Sequence, residues 1–155
     1  MSKSLKRVVE PLEAAEVSSQ VMEMPGGTRT ASDAAKEVSC DIDQIAKSII
    51  FQGADSGDVV LFVTAGGNQV DTELASAVAG EPLGRAEASV VRKVTGFAIG
   101  GVSPVGHLTQ PRVFFDPSLL NYEVVYAAAG TPRHLFPISP QDLQRISGAA
   151  LAEFT

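Results

Sequence analysis

The run Val59-Val60-Leu61-Phe62-Val63 constrains this chain more than any other segment. It is apolar throughout, strand-sized, and bounded by Gly57-Asp58 before it and Gly66-Gly67 after it, so residues 58–64 read as a buried strand. A second apolar stretch, Ile49-Ile50-Phe51, precedes it across the turn Gly53-Ala54-Asp55-Ser56-Gly57 and predicts a strand over 48–51. Further strands are expected at 17–24, 97–102, 113–115, 123–129 and 135–136. Short helices surround them. Leu5, Val8, Val9, Leu12 and Ala15 recur at helical spacing, although Pro11 should kink or end that helix. Thr30 or Ser32 caps a helix over 33–38, and Asp41 caps one over 42–47. Asp71 starts a helix that Gly80 ends, residues 87–94 form another ended by Gly96, and Ser139-Pro140 opens a last one over 141–151. Strands and helices interleave without a regular βαβ rhythm, and several strands are joined by hairpin-length loops. The prediction is an α+β fold, a mixed and partly antiparallel sheet surrounded by short helices, with residues 1–155 forming a single domain.

Several functional classes fall away. No apolar run is long enough to cross a bilayer, no secretory signal opens the chain, and the single Cys40 cannot make an internal disulfide. The expectation is a cytoplasmic protein. The net charge of −6 argues against a protein that holds nucleic acid mainly by neutralising phosphates, so an RNA partner would be gripped locally or with a helper protein. His107 and His134 have no further histidine or cysteine at ligand spacing, and neither a metal nor another cofactor is expected. Cys40, without a Cys-x-x-Cys partner, reads as a structural residue. Ser103 lies between glycines, but its neighbour Pro104 has no N–H for the oxyanion hole that a nucleophile elbow uses. Ala65-Gly66-Gly67-Asn68 lacks the Lys-Ser/Thr of a phosphate loop and reads as a turn.

Two features remain. Lys47 is expected at the end of a helix entering the strand Ile49-Ile50-Phe51, either stabilising that helix end or presenting an ammonium close to the core. The segment Gly100-Gly101-Val102-Ser103-Pro104-Val105-Gly106 is either a tight turn or a rigid loop of bared N–H groups, the kind that stabilises a developing oxyanion.

At these residues the chain becomes recognisable. Gln44-Ile45-Ala46-Lys47-Ser48-Ile49-Ile50-Phe51, Thr95-Gly96-Phe97-Ala98-Ile99-Gly100-Gly101-Val102-Ser103-Pro104-Val105-Gly106 and Val113-Phe114-Phe115-Asp116 resemble the YbaK/ProX-like family, free-standing relatives of the editing domain of bacterial prolyl-tRNA synthetases. The resemblance implies hydrolysis in trans of the ester of a mischarged aminoacyl-tRNA, Cys-tRNA(Pro) or Ala-tRNA(Pro), without a metal. It implies Lys47, Gly100, Gly101 and Ser103 as catalytic residues, Ser103 as part of the loop's architecture, with the Gly101 N–H foremost on the oxyanion. Thr30, Ala31, Val102, Pro104 and Asp116 become substrate-binding residues, Asp116 by bracing the loop. Ser48 stands where many members carry threonine, and 27–31 would line the amino-acid pocket. The implied partners are the acceptor end of aminoacyl-tRNA and prolyl-tRNA synthetase, with Arg29, Arg112 and Arg133 as candidates for phosphate contacts. Two alternatives stand beside this reading: a deacylase for other mischarged tRNAs, and a non-catalytic module of the same fold that binds tRNA or a synthetase.

Overall fold

The computed structural model describes residues 2–17, 20–25 and 30–155. The helices are α1 (Lys3–Ala14), α2 (Ala31–Val38), α3 (Thr72–Ala79), α4 (Ala88–Thr95) and α5 (Pro140–Ser147), with 3-10 turns at Ile42–Gln44 and Pro117–Asn121. The strands are β1 (Met22–Glu23), β2 (Ile45–Gly53), β3 (Val59–Ala65), β4 (Leu83–Arg85), β5 (Arg112–Phe115), β6 (Val125–Ala128), β7 (His134–Ile138) and β8 (Ala150–Leu151). They form one mixed sheet in the order β1-β7-β6-β2-β3-β5-β8, with β4 added beside β2. This is the expected α+β architecture.

β3 is buried at every residue because both faces of the sheet are covered. On one face Leu61, Val63 and Ala65 pack with Val8 and Leu12 of α1, Val91 of α4 and Leu143 of α5. On the other, Val60 and Phe62 pack with Ala75 of α3, Leu83 and Phe154. A third cluster joins Ala34 and Ala35 of α2 to Met24, Ile45 and Leu135.

The feature that makes the site is a fork. β3 pairs with β2 antiparallel from Ala46 to Gln52. On its other edge β2 has two partners in succession: β6 runs parallel to it at Ile45 and Ala46, and β4 runs antiparallel to it from Phe51 to Gly53. Among the described residues no strand pairs with Lys47, Ser48, Ile49 or Ile50 on that edge, and the sheet parts there.

β4 is a strand that the sequence does not announce, and four expected elements take another form. The helix expected over 42–47 is one 3-10 turn. Gln44 Oε1 accepts from the Asp41 N–H at 3.0 Å, but Gln44 Nε2 donates to the Val124 carbonyl at 3.0 Å, tying the turn to the start of β6. Lys47 therefore lies inside a strand and stabilises no helix end. Residues 97–102 form no strand. The turn closed by the Gly101 N–H on the Ala98 carbonyl follows Phe97, and Gly100 has φ +95°, outside the extended range. The last helix stops at Ser147, where Gly148 takes φ +70°, and β8 follows. Only Met22 and Glu23 of the strand expected over 17–24 pair, and residues 18 and 19 lie outside the described residues.

Pro11, by contrast, does not end α1. Proline cannot donate to the carbonyl four residues back, here that of Arg7. Gly106, at φ +82°, packs where any Cβ would overlap that carbonyl oxygen.

A surface clamp gives a pH prediction. The Glu81 carboxylate accepts from the Asp55 N–H at 3.1 Å, the Ser56 N–H at 2.9 Å and the Ser56 hydroxyl at 2.8 Å, and pairs with Arg112 at 2.5 Å. The Ser56 donors above all, then Arg112 and Asp55, hold its pKa down to about 2 from an ordinary 4.5. A carboxyl depressed in the folded state stabilises above its unfolded pKa and stops doing so as pH falls. Glu81→Gln is therefore expected to melt below wild type at neutral pH. That difference should shrink below pH 4.5 and vanish near pH 2, as melting curves across the range would read.

Candidate active site

A cavity of about 490 Å³ opens at the fork. Ala34, Ile45, Tyr126, Ala128 and Leu135 give it an apolar side; Thr30, Lys47 and Thr131 are polar residues on its wall; the chain at Ser48, Gly66, Gly100 and Val102 completes it.

The alternation of β2 decides which side chains reach it. Ala46 and Ile50 join the core around α1, so Lys47, between them, turns to the opposite face with Ile45 and Ile49. There it emerges between the cluster under α2 and the cluster under α3. Its Nζ donates to the Gly66 carbonyl at 3.2 Å. Burial pushes its pKa below the ordinary lysine value, and the charges of Asp43 and Asp116 pull it partly back up. The result is a half-buried ammonium, fixed at one donor and facing a largely apolar space.

The turn that holds it is itself held. Asp116 is 2% exposed, and its Oδ2 accepts from the Ala65 N–H at 3.1 Å and from Asn68 Nδ2 at 2.9 Å. Its Oδ1 accepts from the Ser118 N–H at 2.9 Å. On the far side of the turn, Asp43 Oδ1 accepts from the Gly67 N–H at 2.8 Å. Two carboxylates thus fix the 65–68 turn, and the turn fixes Lys47. A Cβ on Gly66 would overlap the Ile42 carbonyl, so the turn has no room for a larger residue.

The structure brings Thr30, Ala31, Lys47, Gly100 and Val102 to the cavity wall and leaves Gly101, Ser103, Pro104 and Asp116 out of it. Asp116 braces the 65–68 turn rather than the glycine loop. The Ser103 side chain is buried and its Oγ accepts from the Val105 N–H at 3.3 Å. Thr30 caps α2, its Oγ1 accepting from the Asp33 N–H at 3.1 Å. The Gly101 N–H is spent on the Ala98 carbonyl at 3.0 Å, whereas among the described residues the N–H groups of Gly100 and Val102 make no hydrogen bond. Gly100 and Val102, not Gly101, are the loop's unspent donors on the cavity wall.

The other candidates are engaged elsewhere. Arg112 donates to the Ala79 carbonyl at 2.7 Å and to Glu81, which removes it from the phosphate-contact candidates; Arg133 is exposed and Arg29 lies outside the described residues. His107 Nε2 meets the Ser103 carbonyl at 2.6 Å, and burial lowers its pKa. His134 Nδ1 pairs with the Thr131 hydroxyl at 2.6 Å. Cys40 is half-buried beside Asp41, and burial raises its thiol pKa. No three metal-ligating side chains converge among the described residues, and no helix among them is long and apolar enough to cross a membrane.

The sequence marks Gly66 and Asn68 only as part of a turn, and it gives no functional sign of Asp43, Tyr126 or Thr131. The pairing of Asp116 with Asn68, 48 residues apart, leaves no local trace. The double glycine of 66–67 was the one signal in the sequence, since a turn needing two small residues marks a close approach.

Comparison with known proteins shows the family and the fold. A family model described as the aminoacyl-tRNA editing domain matches residues 26–146. The uncharacterized protein YwhH of Bacillus subtilis (strain 168) is 30% identical over 127 residues, 82% of this chain and 80% of that protein. A crystal structure described as a candidate trans-editing enzyme for prolyl-tRNA synthetase superposes with a TM-score of 0.91 at 42% identity, over 100% of this chain and 98% of that one. The hypothetical protein APE2540 superposes at 0.85 with 28% identity, over 96% and 98%. On the matched residues, and on a shared fold that extends over the whole chain, this protein belongs to the aminoacyl-tRNA editing domain family.

Proposed function

We propose that the chain, acting as one editing domain, hydrolyses in trans the ester of a mischarged aminoacyl-tRNA, in the cytoplasm where that substrate is made. The observation that carries this reading is the cavity at the fork: a fixed, half-buried ammonium on one wall and two free backbone donors on another. An aminoacyl ester placed between them would set its carbonyl oxygen against the Gly100 and Val102 N–H groups, which stabilise the oxyanion of the tetrahedral intermediate. Lys47 would hold the adjoining ribose or phosphate and so orient the ester. Water adds to the carbonyl carbon, the bond to the ribose oxygen breaks, and that oxygen leaves with a proton. Among the described residues no cysteine, histidine, aspartate or glutamate lines the cavity, and in this scheme a ribose hydroxyl of the substrate itself activates the water.

The family supplies the biological reason. A synthetase pocket discriminates weakly against a slightly smaller amino acid, and a second site that admits the smaller one clears the error. The relative described as a candidate trans-editing enzyme for prolyl-tRNA synthetase points to tRNA(Pro) and to that synthetase as partner, and the small apolar side of the cavity suits cysteine or alanine. Side-by-side deacylation of Cys-, Ala- and Ser-tRNA(Pro) and of other mischarged tRNAs tests this. The expected result is multiple-turnover release of alanine or cysteine from tRNA(Pro), at least about tenfold faster than from other tRNAs. Turnover on other tRNAs alone would make it a deacylase of different scope. Binding without turnover would make it a recruiting module.

A further inference from the structure

Three glycines seat α1 against the loops that wall the cavity. A Cβ on Gly96 would meet Arg7 Nη1 at 3.1 Å, one on Gly106 would overlap the Arg7 carbonyl, and one on Gly130 would lie 2.8 Å from the Ser4 carbonyl. Arg7 Nη1 also donates to the Gly96 carbonyl at 2.8 Å. Gly100 and Val102 lie between Gly96 and Gly106, and Thr131 follows Gly130; all three line the cavity.

This neighbourhood is rich in cations. The first half of α1 carries Lys3, Lys6 and Arg7, the last turn of α4 carries Arg92 and Lys93, and Arg133 follows Pro132. Half of the chain's 12 lysines and arginines therefore gather on segments that meet at these loops, in a protein of net charge −6. Lys3, Lys6, Arg92, Lys93 and Arg133 are exposed, and among the described residues none of them forms an ion pair. Helix stability does not explain the arrangement on α1. No acid stands in its first turn and no base in its last, and Lys3 and Lys6 ahead of Glu10 and Glu13 run against the helix dipole.

We infer that this cationic surface binds the phosphate backbone of an RNA duplex, the acceptor stem that leads into the esterified end. The inference rests on the editing reading of the cavity. Its chemistry is nonetheless separate: cations on α1 and α4 neutralise phosphates and place the stem, while the fork receives the terminal aminoacyl-adenosine. The net negative charge of the rest of the chain repels the same backbone, so attraction is strongest where these cations gather, at the start of α1 ahead of Glu10 and Glu13.

The test is fluorescence anisotropy of a non-aminoacylated acceptor-stem minihelix with the full chain, across a salt series. The variant is Lys3→Glu/Lys6→Glu, and the control Lys36→Glu/Arg145→Glu makes the same change in charge elsewhere. Glutamate suits the first turns of a helix, so the α1 variant should melt no lower than wild type. Its Kd is expected to rise about tenfold or more, and its log–log salt slope to flatten by about two, one for each phosphate that is no longer neutralised. The control is expected to bind as wild type. No wild-type binding, no change in the α1 variant, or an equal weakening in the control would overturn the proposal. Because the minihelix carries no ester, these outcomes are independent of turnover. A wild-type protein that cleaves no mischarged tRNA would instead sink the editing reading.

Discussion

Lys47→Ala is expected to lower kcat/KM for a mischarged tRNA by at least about 100-fold, with little change in melting temperature. The two effects separate because Lys47 contributes little to packing. Its neighbours on the same face of β2, Ile45 and Ile49, belong to hydrophobic clusters, and the backbone of β2 is held along its length by β3. Alanine keeps the strand and removes the ammonium from the Gly66 carbonyl. Lys47→Arg is expected to recover little, since a planar guanidinium on a longer stem does not occupy the place of a compact ammonium. Single-turnover deacylation beside thermal melts would read both effects. Wild-type kcat/KM in the alanine variant would remove Lys47 from the mechanism.

The second large effect is expected at Asp116, and it is of the opposite kind. Asp116→Ala should cost about 2–4 kcal/mol of stability, a fall in melting temperature of roughly 5–15 °C for a chain of this size. Its carboxylate is buried and accepts from three donors, two of them backbone N–H groups at Ala65 and Ser118. Truncation leaves those donors without partners where water does not readily replace them. Activity should fall as well, because the 65–68 turn carries the acceptor of Lys47. Asp116→Asn keeps one acceptor oxygen and is expected to regain part of the stability. Thermal melts of the two variants decide it: a stable Asp116→Ala protein would mean the turn is held by something other than this carboxylate.

Much of the fold was legible where a local signal and the tertiary structure agree. Asp71 and Gly80 bracket α3, Gly96 ends α4, and Ser139 caps α5, all from side-chain oxygens and left-handed glycines that act within a few residues. The misreadings have different causes. Asp41 is a helix-start signal, but Ile45 and Ala46 pair with Tyr126 and Ala127, and distant pairing wins over local propensity. Phe97 and Ile99 look like alternate positions of a strand, yet Phe97 is buried and Ile99 is 53% exposed, beside a glycine that turns the chain. Lys47 and the glycine loop could be singled out because both residue types are unusual where they stand. The part of the Gly66 carbonyl in holding Lys47 and the free donors of Gly100 and Val102 could not, since which carbonyl or N–H is already spent depends on partners that only the folded chain reveals.

The fork has a mechanical consequence. Walls of the cavity belong to two parts of the sheet, one built on β6 and β7 and one on β2 and β3, joined at β2 by a parallel ladder of two residues. Strands twist relative to their neighbours by roughly 20–25°, and a joint this short transmits that twist across the gap with little stiffness. The width of the cavity is therefore a property of how two parts of a sheet coil against each other, as well as of the side chains that line it. Selectivity in such a protein can be retuned from positions that never touch the substrate.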